Sequence, residues 1–559
     1  MRYSFVLAAA TAVFGAEMAK DEARAAELYD SGKIHEQLMM KKISQWQADE
    51  QAGLMDSTQW PRLNYTKCVD GFAQAIPDSP LHKFRCKNID LYDFINHATL
   101  GSPNTDYRGK SGASSWGWWD VETGREFIAT GMYDGVGFIE VLPTGRMRHV
   151  GFLPKFAPVA DRAYWTEIRS YQHYMVIGSE LEGNGVQIFD MKKLLTVTDA
   201  EAPVLFTNAK DMTGHFNATL PLGSTHNIVI NEEAKYGVAV GVRPRGEYCN
   251  GGHHFFSLED PSNPVELGCD GQDGYVHDAQ CLIYRGPDER YQGRDICYGY
   301  NEDSLTIYDV TDKRNSKIIS ITSYTGASYT HQGWVNDVNW QEWLFMDDEY
   351  DEEDLVGPAA DGYPVTYIWD IRDLENPKQT GLFKATNRGI DHNLYVKKDL
   401  IFQSNYGAGM RVYDISSVPE DPTGNGVCEI AFFDIYPEDD HLEGGGIIAF
   451  SGSWSSYAML PSGFIFINTI ERGGYLVKMT KQESCKPKSC NADNCLRAMR
   501  AESVSGRLEE SQEFCGEFTK TFVADVSVVP EFAQQGCAGN VISRVSSACS
   551  CLPTPTPAA

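Results

Sequence analysis

The stretch LTIYDV, residues 305–310, is a short run of aliphatic, β-branched and aromatic residues closed by an aspartate, and it recurs. VQIFDM (186–191), VTYIWDI (365–371) and MRVYDI (410–415) repeat it, while VGFIEV (136–141), HHFFSLED (253–260) and GGYLVKM (473–479) are weaker relatives. Each follows two other strand-like runs. Several lead through a turn such as DPSNPVELG (260–268), DKRNSKIIS (312–320) or DLENPKQTG (373–381) into a short fourth strand. Helical periodicity is nearly absent between 112 and 479, so the chain reads as all-β there. Four antiparallel strands repeated seven times predict a seven-bladed β-propeller over 68–480, an array that limits exposed edges by closing into a ring. The closing aspartates Asp190, Asp309, Asp370 and Asp414 suit the acceptance of turn N–H groups. The last unit ends at its third strand, so CKNIDLYDFI (86–95) is expected to supply the outer strand and close the ring.

The flanks differ in composition. Residues 1–16 combine a basic start, a short apolar run and small residues, the pattern of a signal peptide. Residues 17–67 form an N-terminal segment in which Asp21 to Gln51, rich in Ala, Glu, Lys, Met and Gln, reads as one or two helices or a processed leader. Lys41-Lys42 is there either a dibasic cleavage site or, as the preferred reading, a pair on a solvated helix face. Residues 481–552 form a Cys-rich module, followed by a Pro/Thr tail at 553–559. Of 14 cysteines, seven fall on each side of Thr480, so full pairing needs a bridge between the two parts, with Cys428 as the partner on the propeller side. Sequence proximity pairs Cys68 with Cys86, Cys249 with Cys269 and Cys281 with Cys297. Asn64 and Asn217 begin glycosylation sequons. A net charge of -29 with no basic stripe excludes nucleic acid as a partner, and no apolar run is long enough for a membrane span. The expectation is a secreted, extracellular monomer, with association to a cell wall left open.

Four consecutive units carry a histidine at the lip of the innermost strand: His226 in GSTHNIVIN, His277 in GYVHDAQCLIY, His331 in YTHQGWVND and His392 in GIDHNLYVK. Trp116, Trp165 and Trp454 take that place in the other three. The turn between second and third strands returns to the same face, bringing Asp134, Glu180, Glu182, Glu302, Asp303, Asp347, Asp348, Glu349, Asn405 and Glu471. From these, His226, His277, His331, His392, Gln332, Glu302 and Asp348 are candidate ligands of a divalent metal, Ca, Mn or Zn. Trp116, Trp165, Trp454, Glu180, Asn405 and Glu471 are candidate ligand-binding residues. Against this stands a scaffold reading, in which each His hydrogen-bonds within its own blade. The acidic run DDEYDEED (347–354) reads as a solvated loop, with a metal cage as the alternative. The remaining histidines, His35 among them, receive no role, and no catalytic residue is assigned.

The segments 114–141, 224–233, 274–312, 329–337, 391–396, 403–416 and 470–478, in that order, resemble the choice-of-anchor B family, extracellular proteins with LVIVD repeats. The resemblance spans roughly Cys68 to Met479 and implies a secreted or surface-tethered propeller without an established reaction. The Cys-rich tail is similar to C-terminal segments of secreted fungal proteins. Two functions follow. One is a secreted propeller that binds a glycan or protein at its loop face, around an axial metal. The other is a metal-assisted polysaccharide lyase or hydrolase, by analogy with the axial His/Gln constellation of oligogalacturonate lyases. The acidity of the mouth speaks against an anionic polymer, with Arg243, Arg245, Arg388 and Arg411 as the local exceptions.

Overall fold

The computed structural model describes residues 19–102, 111–160, 162–485, 493–501, 503–518, 526–537, 541–549 and 551–552. The expected signal peptide, the Pro/Thr tail and Cys490 lie outside them. Seven antiparallel sheets form the blades of the predicted propeller. Their innermost strands are Gly112–Trp119, Thr166–Tyr171, Asn227–Asn231, Asp278–Ile283, Thr330–Val335, Leu394–Lys397 and Ser453–Tyr457, defining blades 1 to 7. Neighbouring blades touch in sequence, and blade 7 returns to blade 1.

Blade 4 shows why the third strands lack polar alternation. Leu305–Asp309 is buried along its whole length. Leu305 and Ile307 pack toward blade 5 with Leu344, Met346 and Tyr367, whereas Tyr308 packs toward blade 3 with Val238 and Phe255. Two apolar faces are needed because each sheet is sandwiched between two others. The strand then stops where Asp309 Oδ1 accepts the Thr311 N–H at 3.1 Å. Asp190, Asp370 and Asp414 accept the N–H two residues on in the same way, at 2.9, 3.0 and 2.9 Å.

Ring closure uses the N-terminal side of the chain. Ile89–Asn96 pairs antiparallel with Gly473–Met479 as the outermost strand of blade 7. The preceding strand, Lys83–Lys87, turns instead onto Cys428–Phe433 and extends blade 6, with Phe72–Gln74 beyond it. Cys86 thus belongs to blade 6 and the closing strand begins at Ile89. Directly after it, His97 fills the seam between blades 7 and 1. Its Nε2 donates to the Thr469 carbonyl at 2.7 Å, and it lies so close to Gly112 that a Cβ there would be 2.5 Å from the ring.

Burial pushes the His97 imidazole down to about 4, against the pull of its hydrogen bond to Thr469. An unfolded chain takes up that proton near pH 6.5 while the fold refuses it until pH falls to about 4. Stability at this site is therefore complete above pH 6.5 and lost as pH falls through that window, by about 3 kcal/mol. His97→Gln retains a donor for the carbonyl but does not titrate. Its thermal midpoint is expected to fall less steeply than wild type between pH 6.5 and 4. Equal slopes would mean that His97 does not contribute.

Six disulfides form among the described residues. Cys68–Cys86, Cys249–Cys269 and Cys281–Cys297 pair as their proximity predicts, and Cys428 bonds Cys485. The C-terminal module is helical, with Asn494–Met499, Arg507–Phe518, Glu531–Gly536 and Val541–Cys549 around its own small core. Cys495–Cys537 and Cys515–Cys549 staple that core, which is too small to rely on apolar burial alone. Both sequon asparagines, Asn64 and Asn217, are exposed.

Candidate axial site beneath an N-terminal helix

The helix Lys33–Gln51 lies across the axial mouth. It buries His35, Leu38, Met39, Lys42, Ile43 and Trp46, a stripe at helical spacing. Leu38, Met39, Ile43 and Trp46 share one core with Ala113, Trp165, Tyr329, Ile390, Tyr406, Phe450 and Trp454, which come from five of the blades and their loops. Trp46 is the anchor: its Nε1 donates to the Phe450 carbonyl at 2.8 Å, and its ring centroid lies 5.3 Å from Trp165 and 6.0 Å from Trp454. Polar contacts pin the edges. Tyr29 donates to the Ser328 carbonyl at 2.9 Å, Arg162 grips Glu36 at 2.7 Å, and Lys20 meets Asp273 at 2.8 Å. Lys41 stays at the surface, but Lys42 is only 1% exposed, which corrects the reading of the pair as a solvated face. Lys42 falls on the buried stripe seven residues after His35.

Below the helix the four repeat histidines form an arc. Ring centroids are 4.3 Å apart for His226–His277, 4.3 Å for His277–His331 and 4.6 Å for His331–His392. Every Nδ1 faces an acceptor. His277 meets the His331 carbonyl at 2.8 Å, His392 the Trp454 carbonyl at 2.6 Å, His331 the Asp347 carboxylate at 3.1 Å and His226 the Glu180 carboxylate. A carbonyl can only accept, so His277 and His392 carry their proton on Nδ1 and hold Nε2 as a lone pair. That is the tautomer of a metal-binding imidazole whose other nitrogen is braced by an acceptor. Burial holds His277 and His331 well below the ordinary histidine range and His392 at about 4.

Glu349 completes the cluster. Its carboxylate lies 3.5 Å from His392 Nε2 and 3.9 Å from His331 Nε2, and the three residues offer ligand atoms within 4.8 Å of one another. Lys42 Nζ donates to Glu349 Oε1 at 2.6 Å, and the Tyr406 hydroxyl donates to the same oxygen. Burial alone would raise the Glu349 pKa, but the Lys42 ammonium, with the hydrogen bonds from Lys42 and Tyr406, holds it below the usual value. The cluster is therefore one carboxylate and neutral imidazoles with a lysine as its cation.

The other sequence candidates divide. Glu180 joins the arc: burial opposes its charge, yet the hydrogen bond from His226, with Arg243 and Arg162 nearby, holds it at about 2. Trp165 and Trp454 roof the arc under Trp46, and Trp454 Nε1 donates to Glu167 at 3.1 Å. Glu302 stands beside it, bound by both Arg245 Nη atoms at 2.8 and 2.5 Å and 3.9 Å from His35. Gln332 and Asp348, expected as metal ligands, serve as scaffold. Gln332 Oε1 accepts the Leu394 N–H at 2.8 Å, joining blades 5 and 6. Asp348 is saturated by the Tyr324 hydroxyl and by the N–H groups of Ser328, Tyr329, Tyr350 and Asp351. Glu471 caps the Gly452 N–H at 2.8 Å, away from the arc, and burial raises it to about 7. Asn405 is buried in the turn of blade 6. Trp116 sits deeper in the channel against Arg169, Tyr395 and Tyr457, because its place in Gly112–Trp119 matches Trp334 and not His331.

The acidic run is not a solvated loop. Asp347, Asp348, Glu349, Asp351 and Glu352 are all fully buried, since the helix and the blade 6 loop cover them. Among the mouth's arginines, Arg162 and Arg243 face Glu180, Arg245 pairs with Glu302, and Arg411 with Glu429 and Asp434. Sequence reasoning missed Lys42 and His35 as members of the site. Their signal is the helical spacing of a polar pair within an otherwise apolar stripe.

No family model matches the chain. No curated protein matches it either, so membership of the choice-of-anchor B family gains no support from these comparisons. Solved structures with a similar arrangement include the outer coat vertex of COPII on membranes, at 11% identity and TM-score 0.43 over 67% of this chain and 85% of that one. The C-terminal WD40 domain of Sif2 is 10% identical with TM-score 0.39, covering 75% of this chain and 97% of that one. The computationally designed Ika8 protein is 10% identical with TM-score 0.37, covering 66% and 83%. The propeller assignment rests on the chain's own strand pairing.

Proposed function

We propose that the protein is a secreted binding propeller whose axial cluster, His331, His392 and Glu349 with His277 and His226 beside them, takes a divalent ion such as Zn or Mn. Through that ion it binds an extracellular glycan or protein, and the N-terminal helix keeps the site latent. The observation that carries this is Lys42: a buried ammonium stands among two imidazoles and a carboxylate that together form a borderline-soft N/O donor set. A helix that supplies its own cation keeps Glu349 satisfied while the site is closed. Once the helix leaves, a buried carboxylate and inward lone pairs remain, and Trp165 and Trp454 become an aromatic wall of the kind that stacks sugar faces. The disulfides fit an oxidising compartment. A lyase or hydrolase on an acidic polymer is less well supported, because Arg162, Arg243, Arg245 and Arg411 face carboxylates already.

The test opens the mouth. A protease site between Gly53 and Met55, combined with Trp46→Ala, lets the freed helix dissociate after cleavage. Titration calorimetry with Zn2+ or Mn2+ is expected to give one ion per cleaved ring, no uptake by the intact protein, and loss of uptake in Glu349→Gln. A helix-free ring that takes up neither ion would make the arc a scaffold.

A further inference from the structure

A second cluster lies beside the axial one but uses different residues. Asp351 and Glu352 sit in the blade 5 loop between Trp343–Asp348 and Val365–Asp370, and Asp391 precedes the innermost strand of blade 6. All three are fully buried, and their carboxylate oxygens lie within 4.8 Å of one another. Each of the first two is oriented by one donor: the Tyr367 hydroxyl meets Asp351 Oδ2 at 2.8 Å and the Val365 N–H meets Glu352 Oε1 at 3.1 Å. That leaves Asp351 Oδ1, Glu352 Oε2 and both oxygens of Asp391 buried with no hydrogen-bond partner. Among the described residues the charged groups nearest the three are other carboxylates, with no lysine, arginine or histidine paired to them. Asp348, three positions before Asp351 at the end of the preceding strand, shows the contrast: its charge is met by donors from several sides.

We infer that Asp351, Glu352 and Asp391 form a calcium site that ties the blade 5 loop to the blade 6 loop. Burying carboxylates without a counter-charge costs several kcal/mol each, a cost that bound protons or a cation removes, and four unpartnered oxygens gathered within reach of one ion favour the cation. The donors are oxygen only, which disfavours Zn. Ca2+ binds six to eight oxygens at about 2.3–2.6 Å, so oxygens on opposite sides of one ion stand up to about 5 Å apart, a span that matches this cluster. Both Asp391 oxygens are free, which suits bidentate ligation by calcium better than the tight octahedron of Mg2+. Backbone carbonyls and water complete the shell. The site has a consequence for its neighbour, since the two loops it joins carry Glu349 and His392. Calcium would fix their spacing whether or not the axial cluster binds an ion of its own.

The experiment uses the full chain, purified in calcium-containing buffer and never exposed to chelator. Elemental analysis after gel filtration is expected to give one calcium per chain. EGTA should lower the thermal midpoint by several degrees, restored by Ca2+ and not by Mg2+. Asp391→Asn should lose the calcium, whereas Glu349→Gln should retain it, which separates this site from the axial one. Should Asp391→Asn fail to fold, Glu352→Gln and the EGTA response of the wild type decide. Calcium-free protein whose midpoint ignores both EGTA and added Ca2+ would overturn the inference and leave a set of carboxyls that share protons.

Discussion

Lys42→Met lowers the thermal midpoint in chelator-treated buffer and gives the protein a response to Zn2+ or Mn2+ that the wild type lacks. The substitution preserves length and apolar stem but removes the only ammonium on Glu349 among the described residues. Breaking one partner of a fully buried pair costs about 3–5 kcal/mol, because the remaining charge has neither water nor counter-ion. Here the remaining charge faces the Nε2 atoms of His331 and His392, so a divalent ion can take the vacated place. The double variant Lys42→Met/Glu349→Gln removes both charges. It should recover much of the lost stability and respond to neither Zn2+ nor Mn2+, so the two substitutions are strongly non-additive. A Lys42→Met protein as stable as wild type, or equally unstable with and without metal, would remove the lysine from its place as resident cation. Differential scanning calorimetry of wild type, Lys42→Met, Glu349→Gln and the double variant reads all of these outcomes.

Trp46→Ala undocks the helix without opening the ring. The indole is 1% exposed, wedged against Tyr164, Trp165 and Trp454 and hydrogen-bonded to Phe450. Replacing such a side chain by Ala costs about 3–5 kcal/mol, nearly all of it drawn from the contact between helix and mouth. The blades keep their own cores, so the loss falls on docking and not on the propeller. Limited trypsin digestion followed by mass spectrometry should show rapid cleavage after Lys41 and Lys42 in the variant and slow cleavage in wild type, with a protected ring in both. The same cleavage rate in both proteins would mean that the helix opens readily even with Trp46 in place.

The propeller was legible because its repeat is written in local chemistry. A third strand such as LTIYDV carries both its apolar faces and its stop signal, and the final blade's missing strand could be sought upstream on arithmetic alone. The histidine arc was legible for the same reason: equivalent positions of consecutive blades meet at the axis. Trp116 shows the limit of that reasoning, because a slip of three residues along an innermost strand moves a side chain to another depth in the channel. Gln332 and Asp348 show another, since a polar residue at a mouth can be spent on holding loops. The role of Lys42 could not be read locally. Its stripe announces an amphipathic helix, but nothing near it in sequence names the surface it covers. The burial of 347–349, 351 and 352 was hidden likewise, because acidic runs are usually solvated and the elements covering these residues come from residues 33–51 and from blade 6.

The strand Ile89–Asn96 and the helix Lys33–Gln51 also set an order of events during synthesis. Both leave the ribosome before any blade is complete, yet their partners, Gly473–Met479 and the assembled mouth, are made last. The earliest part of the chain is therefore the last to find its place, across the longest sequence separations in the fold. Until then the nascent protein carries an unpaired strand at one end and an unmatched edge at the other. Two chains that meet in this state can trade their N-terminal segments and both finish with every blade complete. An exchange of this kind depends on concentration at the moment of closure.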